Sequence, residues 1–215
     1  DHVTPAELPE EMEAFRAQQF RWAKGTVQTA RKLLARVWTR KDLDFGVRLE
    51  AFFHMTPHFA YPLMVLLAVL LLPMLLVMPV SDPLSLFLVD IPLMIGSTGS
   101  LATFYMVAER SQGRSALGAL RRLPWLLAIG AGMSPYLTKA VWEGLQSATG
   151  EFVRTPKKGQ SARPGRYRAR TILPVTEMLL ALESAVSVYV AVATKHYIAA
   201  PFATLFVMGF GYVSY

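Results

Sequence analysis

The sequence predicts an all-α membrane protein, with amphipathic interfacial helices first and about four transmembrane helices after them. Three observations predict this class. Apolar stretches recur at 59–80, 84–108, 171–194 and 197–215, lengths that at ~1.5 Å rise per residue suit a ~30 Å hydrocarbon core. Hydrophobic residues make up 53% of the chain and charged residues only 17%, whereas soluble domains carry about 25% charged residues. The excess positive charge is confined to two stretches between apolar segments: 109–122 hold four Lys/Arg against one Glu, and 139–170 hold eight against two. Lysine and arginine concentrate in this way in cytoplasmic loops.

Composition also excludes functions. There is no cysteine, so neither a disulfide framework nor a thiolate metal site can be built. Basic clusters can bind nucleic acid, but clusters that flank membrane spans are read as cytoplasmic loops, and no nucleic-acid partner is expected. The chain opens on Asp1 without a signal-peptide pattern and closes inside an apolar run at Tyr215; it is read as a fragment.

Residues 1–58 form an amphipathic interfacial segment. Pro5 and Pro9 give an extended entry, and the acids of Glu7-Leu8-Pro9-Glu10-Glu11 suit the positive end of a helix that starts there. Met12, Phe15, Gln19 and Trp22 recur on one helical face. Ala30, Leu33, Leu34, Val37 and Trp38 make a second apolar stripe, with Arg31, Lys32, Arg36 and Arg40 off it; such a helix can lie in the membrane interface or pack on a neighbouring domain. His54 and His58 have a metal-ligand spacing, but Pro57 lies between them and no third ligand is near; no metal is expected in this chain.

Residues 59–108 are a transmembrane hairpin. Pro62, Pro73 and Pro79 should kink or end the first span, Ser81-Asp82-Pro83 is a tight turn, and Gly96-Ser97-Thr98-Gly99-Ser100 offers a close-approach surface in the second. Residues 109–149 hold a basic loop and then an apolar run, 123–137, broken by Gly130, Gly132 and Pro135. Both its flanks are basic, so it is read as an interfacial or re-entrant helix; a full crossing that ends near Leu145 is the competing reading. Residues 150–170 are a polar cytoplasmic loop rich in Gly and Pro. Residues 171–215 form a second transmembrane hairpin that turns at Lys195-His196 and carries Glu177 and Glu183 in its first span. Glu177 can reach the interface, whereas Glu183 lies deeper. A carboxyl group at that depth is costly and faces a cavity, which makes Glu183 a channel-lining candidate.

Two motifs carry chemistry. Gln18-Gln19-Phe20-Arg21-Trp22 puts an indole beside an amide and a guanidinium on one helix. Indole faces stack on pyranose rings, while Gln and Arg hydrogen-bond hydroxyls or phosphate. An Arg-Trp pair on a basic helix is also the pattern of a plain membrane-surface anchor. Phe152-Val153-Arg154-Thr155-Pro156-Lys157-Lys158-Gly159 offers an aromatic ring, a hydroxyl and three cations, groups that can pack on a nucleotide and offset a diphosphate. Most of its cations would equally suit an ordinary basic loop.

Gln-x-x-Arg-Trp resembles the acceptor-binding signature of processive family 2 glycosyltransferases, the cellulose synthase-like enzymes. The second motif resembles the gating loop of the same family, Phe-x-Val-Thr-x-Lys-Gly, and departs from it at Arg154 and by one extra Lys before Gly159. Tyr61-Pro62-Leu63-Met64 also looks like bacterial members, and the doubled Gln leans toward the mannan and glucan synthase-like branch.

The resemblance implies that Gln18, Arg21 and Trp22 bind the acceptor, with Trp22 as stacking platform. It implies that Phe152, Arg154, Thr155, Lys157 and Lys158 close over the nucleotide sugar, UDP-glucose or GDP-mannose. The spans would line a channel that passes a growing β-linked polysaccharide across a membrane, expected to be the bacterial inner membrane with both motifs on the cytoplasmic side. No catalytic residue is assigned to this chain. The family's Asp-x-Asp, Thr-Glu-Asp and divalent cation, Mg or Mn, belong to an upstream nucleotide-binding domain, and the chain alone is expected to be inactive. The alternatives are a transporter or channel subunit without chemistry, for which Asp90 and Glu183 would serve, and a structural membrane-assembly protein.

Thr155→Ala in the intact enzyme is expected to weaken nucleotide-sugar retention; equilibrium nucleotide binding and turnover equal to wild type would count against the gating role.

Overall fold

The computed structural model describes residues 12–78, 86–146 and 175–214, together with Pro9 and Leu84, and excludes the side chains of 89, 90, 93 and 94. Among these residues every regular element is helical. The order is α1 (Met12–Thr39), α2 (Phe45–Met55), a 3₁₀ turn (Pro57–Phe59), α3 (Ala60–Val77), a single wide turn (Leu86–Asp90), α4 (Ile91–Ser111), α5 (Ala116–Gln146), α6 (Val175–Ala193) and α7 (Ala199–Ser214). They form two compact units, one of 1–65 with 133–173 and one of 66–132 with 174–215.

Among the described residues two helices are long and apolar enough to cross a membrane, Pro57–Val77 and Val175–Ala193. Four spans were expected, and two of them are shown at this level. Ala199–Ser214 is apolar but has 16 residues, which rise only ~24 Å. The stretch 84–108 resolves into the wide turn and α4, whose middle holds the polar small residues from Gly96 to Ser100. The Ser81-Asp82-Pro83 turn and the loop 150–170 lie outside the described residues.

The first span fits its prolines. Pro62 stands in the opening turn of α3, where a missing N–H costs nothing, and α3 closes at Val77. Pro73 sits inside the helix and removes one backbone hydrogen bond without ending it. The apolar run 123–137 is less intuitive. The expected break over 123–137 does not occur: α5 runs unbroken for 31 residues through Pro124 and Pro135. The helix also takes in Arg121 and Arg122, so the expected basic loop shrinks to the turn at 112–115. Packing overrides local propensity here, because Ala128, Ala131, Gly132 and Met133 are all buried.

In the second unit α6 and α7 form an antiparallel hairpin. The turn is where the sequence placed it. Lys195 takes a left-handed φ of 66°, and the His196 N–H donates to the Ala191 carbonyl at 2.8 Å, which closes the end of α6. The Thr194 hydroxyl lies 2.7 Å from His196 Nδ1. One face of each helix is buried: Glu177, Leu180, Ser184, Ser187 and Ala191 on α6, and Ala203, Phe206, Gly209, Phe210 and Val213 on α7.

The closest approach is between α5 and α7. A Cβ on Gly132 would collide with the backbone carbonyl of Gly209 and come within 2.6 Å of Val213 Cγ2. A Cβ on Gly209 would collide with the Ala128 carbonyl and stand 2.9 Å from the Gly132 nitrogen. Backbone thus meets backbone, the close packing that small residues permit.

Gly209→Ala and Gly132→Ala are each expected to destabilise the chain by about 1–3 kcal/mol, because neither colliding atom is on a flexible side chain. Gly211→Ala and Gly130→Ala, which meet nothing within 4 Å, are expected to be neutral or stabilising. Thermal unfolding of the four variants in one detergent separates the two pairs.

Candidate functional site

The residues of the first motif lie on α1, a helix of 28 residues. Gln18, Arg21 and Trp22 stand at i, i+3 and i+4, so helical geometry places them on one face. Ala14, four residues before Gln18 on this same face, is buried, and the other buried residues of α1, Ala23, Val27 and Ala30, lie on the opposite face. Met12, Phe15, Gln19 and Trp22 do share a face of this continuous helix. Trp22 is 55% exposed, and Leu33 and Trp38 of the second stripe are exposed too. Small residues form the buried positions, because α1 docks closely on a partner helix.

That partner is the C-terminal part of α5, in the same compact unit. Phe20 packs against Tyr136 at 4.9 Å between ring centroids, tilted by 47°. The Arg16 guanidinium lies 4.8 Å from the centre of the same ring, a cation–π contact. Lys24 Nζ donates to Glu143 Oε2 at 2.8 Å. Arg31 Nη1 donates to the Leu145 carbonyl at 2.8 Å, which satisfies one of the open carbonyls at the end of α5. These pairs ascend together in both helices, so α1 and this part of α5 run in the same direction. Gly144 makes the closeness possible: a Cβ there would stand 2.9 Å from Val27 Cβ and 3.0 Å from the Lys24 carbonyl.

On the motif face the polar groups are unevenly served. Gln18 Oε1 is buried without a hydrogen-bond donor among the described residues. An unserved buried amide oxygen costs about 1–3 kcal/mol, and it can be repaid by a ligand hydroxyl. Arg21 is engaged by a neighbouring group. The indole of Trp22 is more than half exposed. An indole, an unserved amide oxygen and a guanidinium thus stand within two helical turns.

Other expected site residues are not joined to this face. Phe152, Arg154, Thr155, Lys157 and Lys158 lie outside the described residues. Glu183 belongs to the second unit. There it receives the Ser187 hydroxyl, on its backbone carbonyl at 3.0 Å and on Oε1 at 3.4 Å, while Oε2 is buried without a partner. No group of three His, Cys, Asp or Glu that could hold a metal occurs among the described residues.

One Asp-x-Asp spacing does occur, Asp42-Leu43-Asp44, between α1 and α2. Its geometry is that of a turn clasp. Arg40 Nε donates to Asp42 Oδ1 at 2.8 Å and Arg40 Nη2 to Oδ2. That pairing, with help from the Asp42 backbone, lowers the Asp42 carboxyl from its ordinary 3.8 to about 2. A depressed acid contributes above its ordinary value, so this clasp is intact at neutral pH and is lost as pH falls from about 4 toward 2.

Sequence reasoning missed the residues that hold α1 in place: Arg16, Lys24, Tyr136, Glu143 and Gly144. The available signal was the run of small residues at i, i+4 and i+7, Ala23, Val27 and Ala30, which marks close helix packing. No family model, curated protein or solved structure matches the chain.

Coupling between Lys24→Met and Glu143→Gln in a double-mutant cycle is expected at about 0.5–1 kcal/mol, since both side chains are only partly buried. In a Gly144→Leu background the coupling is expected to vanish, because the new side chain displaces α1. A cycle energy unchanged by Gly144→Leu would mean that α1 is held by other contacts.

Proposed function

We propose that this chain is the C-terminal membrane part of a processive glycosyltransferase. The whole enzyme transfers hexose from a nucleotide sugar, UDP-glucose or GDP-mannose, to a growing β-linked polysaccharide and passes the product across the membrane. The supporting observation is the motif face of α1, where an exposed Trp22 stands one turn from an orphaned Gln18 oxygen and beside Arg21. A sugar ring needs an aromatic surface for its C–H face and acceptors for its hydroxyls. This face offers both, and burial of Trp22 in a core would have removed the first.

The order of the elements also supports the reading. A rigidly docked motif helix precedes a helix able to cross a membrane, and a second such helix follows the gating-type segment. The transfer chemistry, with its Mg or Mn ion, would be carried by a nucleotide-binding domain joined to this chain or bound to it. Cytoplasmic orientation of both motifs and residence in a bacterial inner membrane belong to the same proposal.

A solute-transporting subunit is the second reading. The buried Glu183 Oε2 and the buried, unpartnered Ser184 hydroxyl on a membrane-spanning helix favour it. It predicts solute flux through the purified chain in vesicles without any nucleotide sugar.

Trp22→Ala in the intact enzyme is expected to reduce polymer elongation by ten-fold or more, about 1.4 kcal/mol or greater, with nucleotide binding nearly unchanged. Radiolabelled sugar incorporation and nucleotide affinity, measured on the same membranes, check it. Wild-type polymer yield from the variant would remove the acceptor role.

A further inference from the structure

The second unit carries a charged and apolar surface that the proposed transferase chemistry does not use. It lies where α4 ends and α5 begins. Gly113, at a φ of 73°, turns the chain, and the Arg114 N–H donates back to the Glu109 carbonyl at 2.9 Å. The Gly118 N–H donates to the Ser115 hydroxyl at 3.4 Å, which caps the start of α5. The turn is therefore built, and its side chains are held at defined places.

Four arginines and one acid occupy 109–122. Glu109 Oε2 receives Arg114 Nε at 3.4 Å and lies 3.5 Å from Arg122 Nη1. One half-buried carboxylate thus ties together two guanidiniums from opposite sides of the turn. Arg110 and Arg121 are exposed and make no ion pair among the described residues. The net charge of this short segment is strongly positive, and nothing described here neutralises it.

Apolar side chains stand exposed beside the charge. Leu117 is 57% exposed, Leu120 42% and Trp125 60%. With Arg121 they share one broad face of α5, by their spacing of three, four and eight residues. Phe104 and Val107 near the end of α4 are exposed as well. A site for a free phosphate or a soluble nucleotide needs the cations and has no use for these residues. A bilayer surface uses both: anionic headgroups meet guanidiniums while indole and leucine enter the acyl boundary.

We propose that the α4–α5 turn is a docking surface for anionic phospholipid headgroups, with Arg110 and Arg121 as the headgroup ligands and Leu117, Leu120 and Trp125 as the acyl contacts. Charge complementarity commits the surface to acidic lipid over zwitterionic lipid. Arg114 and Arg122 shape the turn through Glu109 and are not the selective pair.

The test uses the full chain with Trp125 as its sole tryptophan, the others being replaced by Phe, in phosphatidylcholine vesicles. An equal minor fraction of brominated phosphatidylglycerol or brominated phosphatidylcholine is added as quencher. Quenching of Trp125 by the acidic lipid is expected to exceed that by the zwitterionic one by about twofold or more. Arg110→Gln with Arg121→Gln leaves both Glu109 pairs in place and is expected to equalise the two. Leu117→Ser with Leu120→Ser is expected to lower quenching by both lipids. Equal quenching in the parent protein, or a preference that survives the arginine double variant, would overturn the proposal. So would loss of the preference in inorganic phosphate at matched ionic strength, which would make the site one for soluble phosphate. Absence of quenching by either lipid would also overturn it, as a sign that a second copy or another protein covers the face.

Discussion

The constraint on which this molecule depends is that apolar helices without water must satisfy every backbone polar group themselves and then find a reason to associate. The first demand makes the described chain helical throughout. The second is met by removal of side chains where helices cross. Gly132 against Gly209 and Gly144 against Val27 are the two places where this is carried furthest. Large hydrophobic residues are left pointing outward in quantity: Leu63, Leu66, Leu67 and Leu76 on α3, and Leu179, Leu182 and Tyr189 on α6. In a soluble protein such exposure would be a fault. On helices long and apolar enough to cross a bilayer it is the surface that lipid would cover.

The same economy of side chains sets the candidate site. α1 turns Ala23, Val27 and Phe20 to α5 and leaves Trp22 exposed. Trp22 is available because Ala23 and Val27, not Trp22, make the helix contact. Tyr136, held between Arg16 and Phe20, and Glu143, paired with Lys24, then fix the position of the helix along its partner. Polar contacts at both ends of the contact and glycine in it leave Trp22 exposed.

Much of this was legible. The helix of the first motif, the turn at Lys195-His196, the apolar helix over 60–77 and the helical hairpin after 170 follow from pattern alone, because hydrophobic period and turn residues act locally. Which face of α1 is buried was not legible, because hydrophobicity ranks Phe15 and Trp22 above Ala23 and Ala30, while close helix packing selects on size. The break expected in 123–137 failed similarly: Gly130, Gly132 and Pro135 weaken a free helix, but here glycine serves as a contact surface and proline is carried within a buried segment.

The sequence by itself determined the helical class, the presence of helices able to cross a membrane, the distribution of positive charge and the shared face of Gln18, Arg21 and Trp22. These depend on residue spacing and on transfer of side chains from water, which the linear order already contains. Only the tertiary structure decided which face of α1 is buried, that Gln18 Oε1 lacks a donor, that Glu109 gathers two arginines, and that α5 is continuous. Each of these turns on what a distant part of the chain places within a few ångströms, and no local pattern encodes that distance.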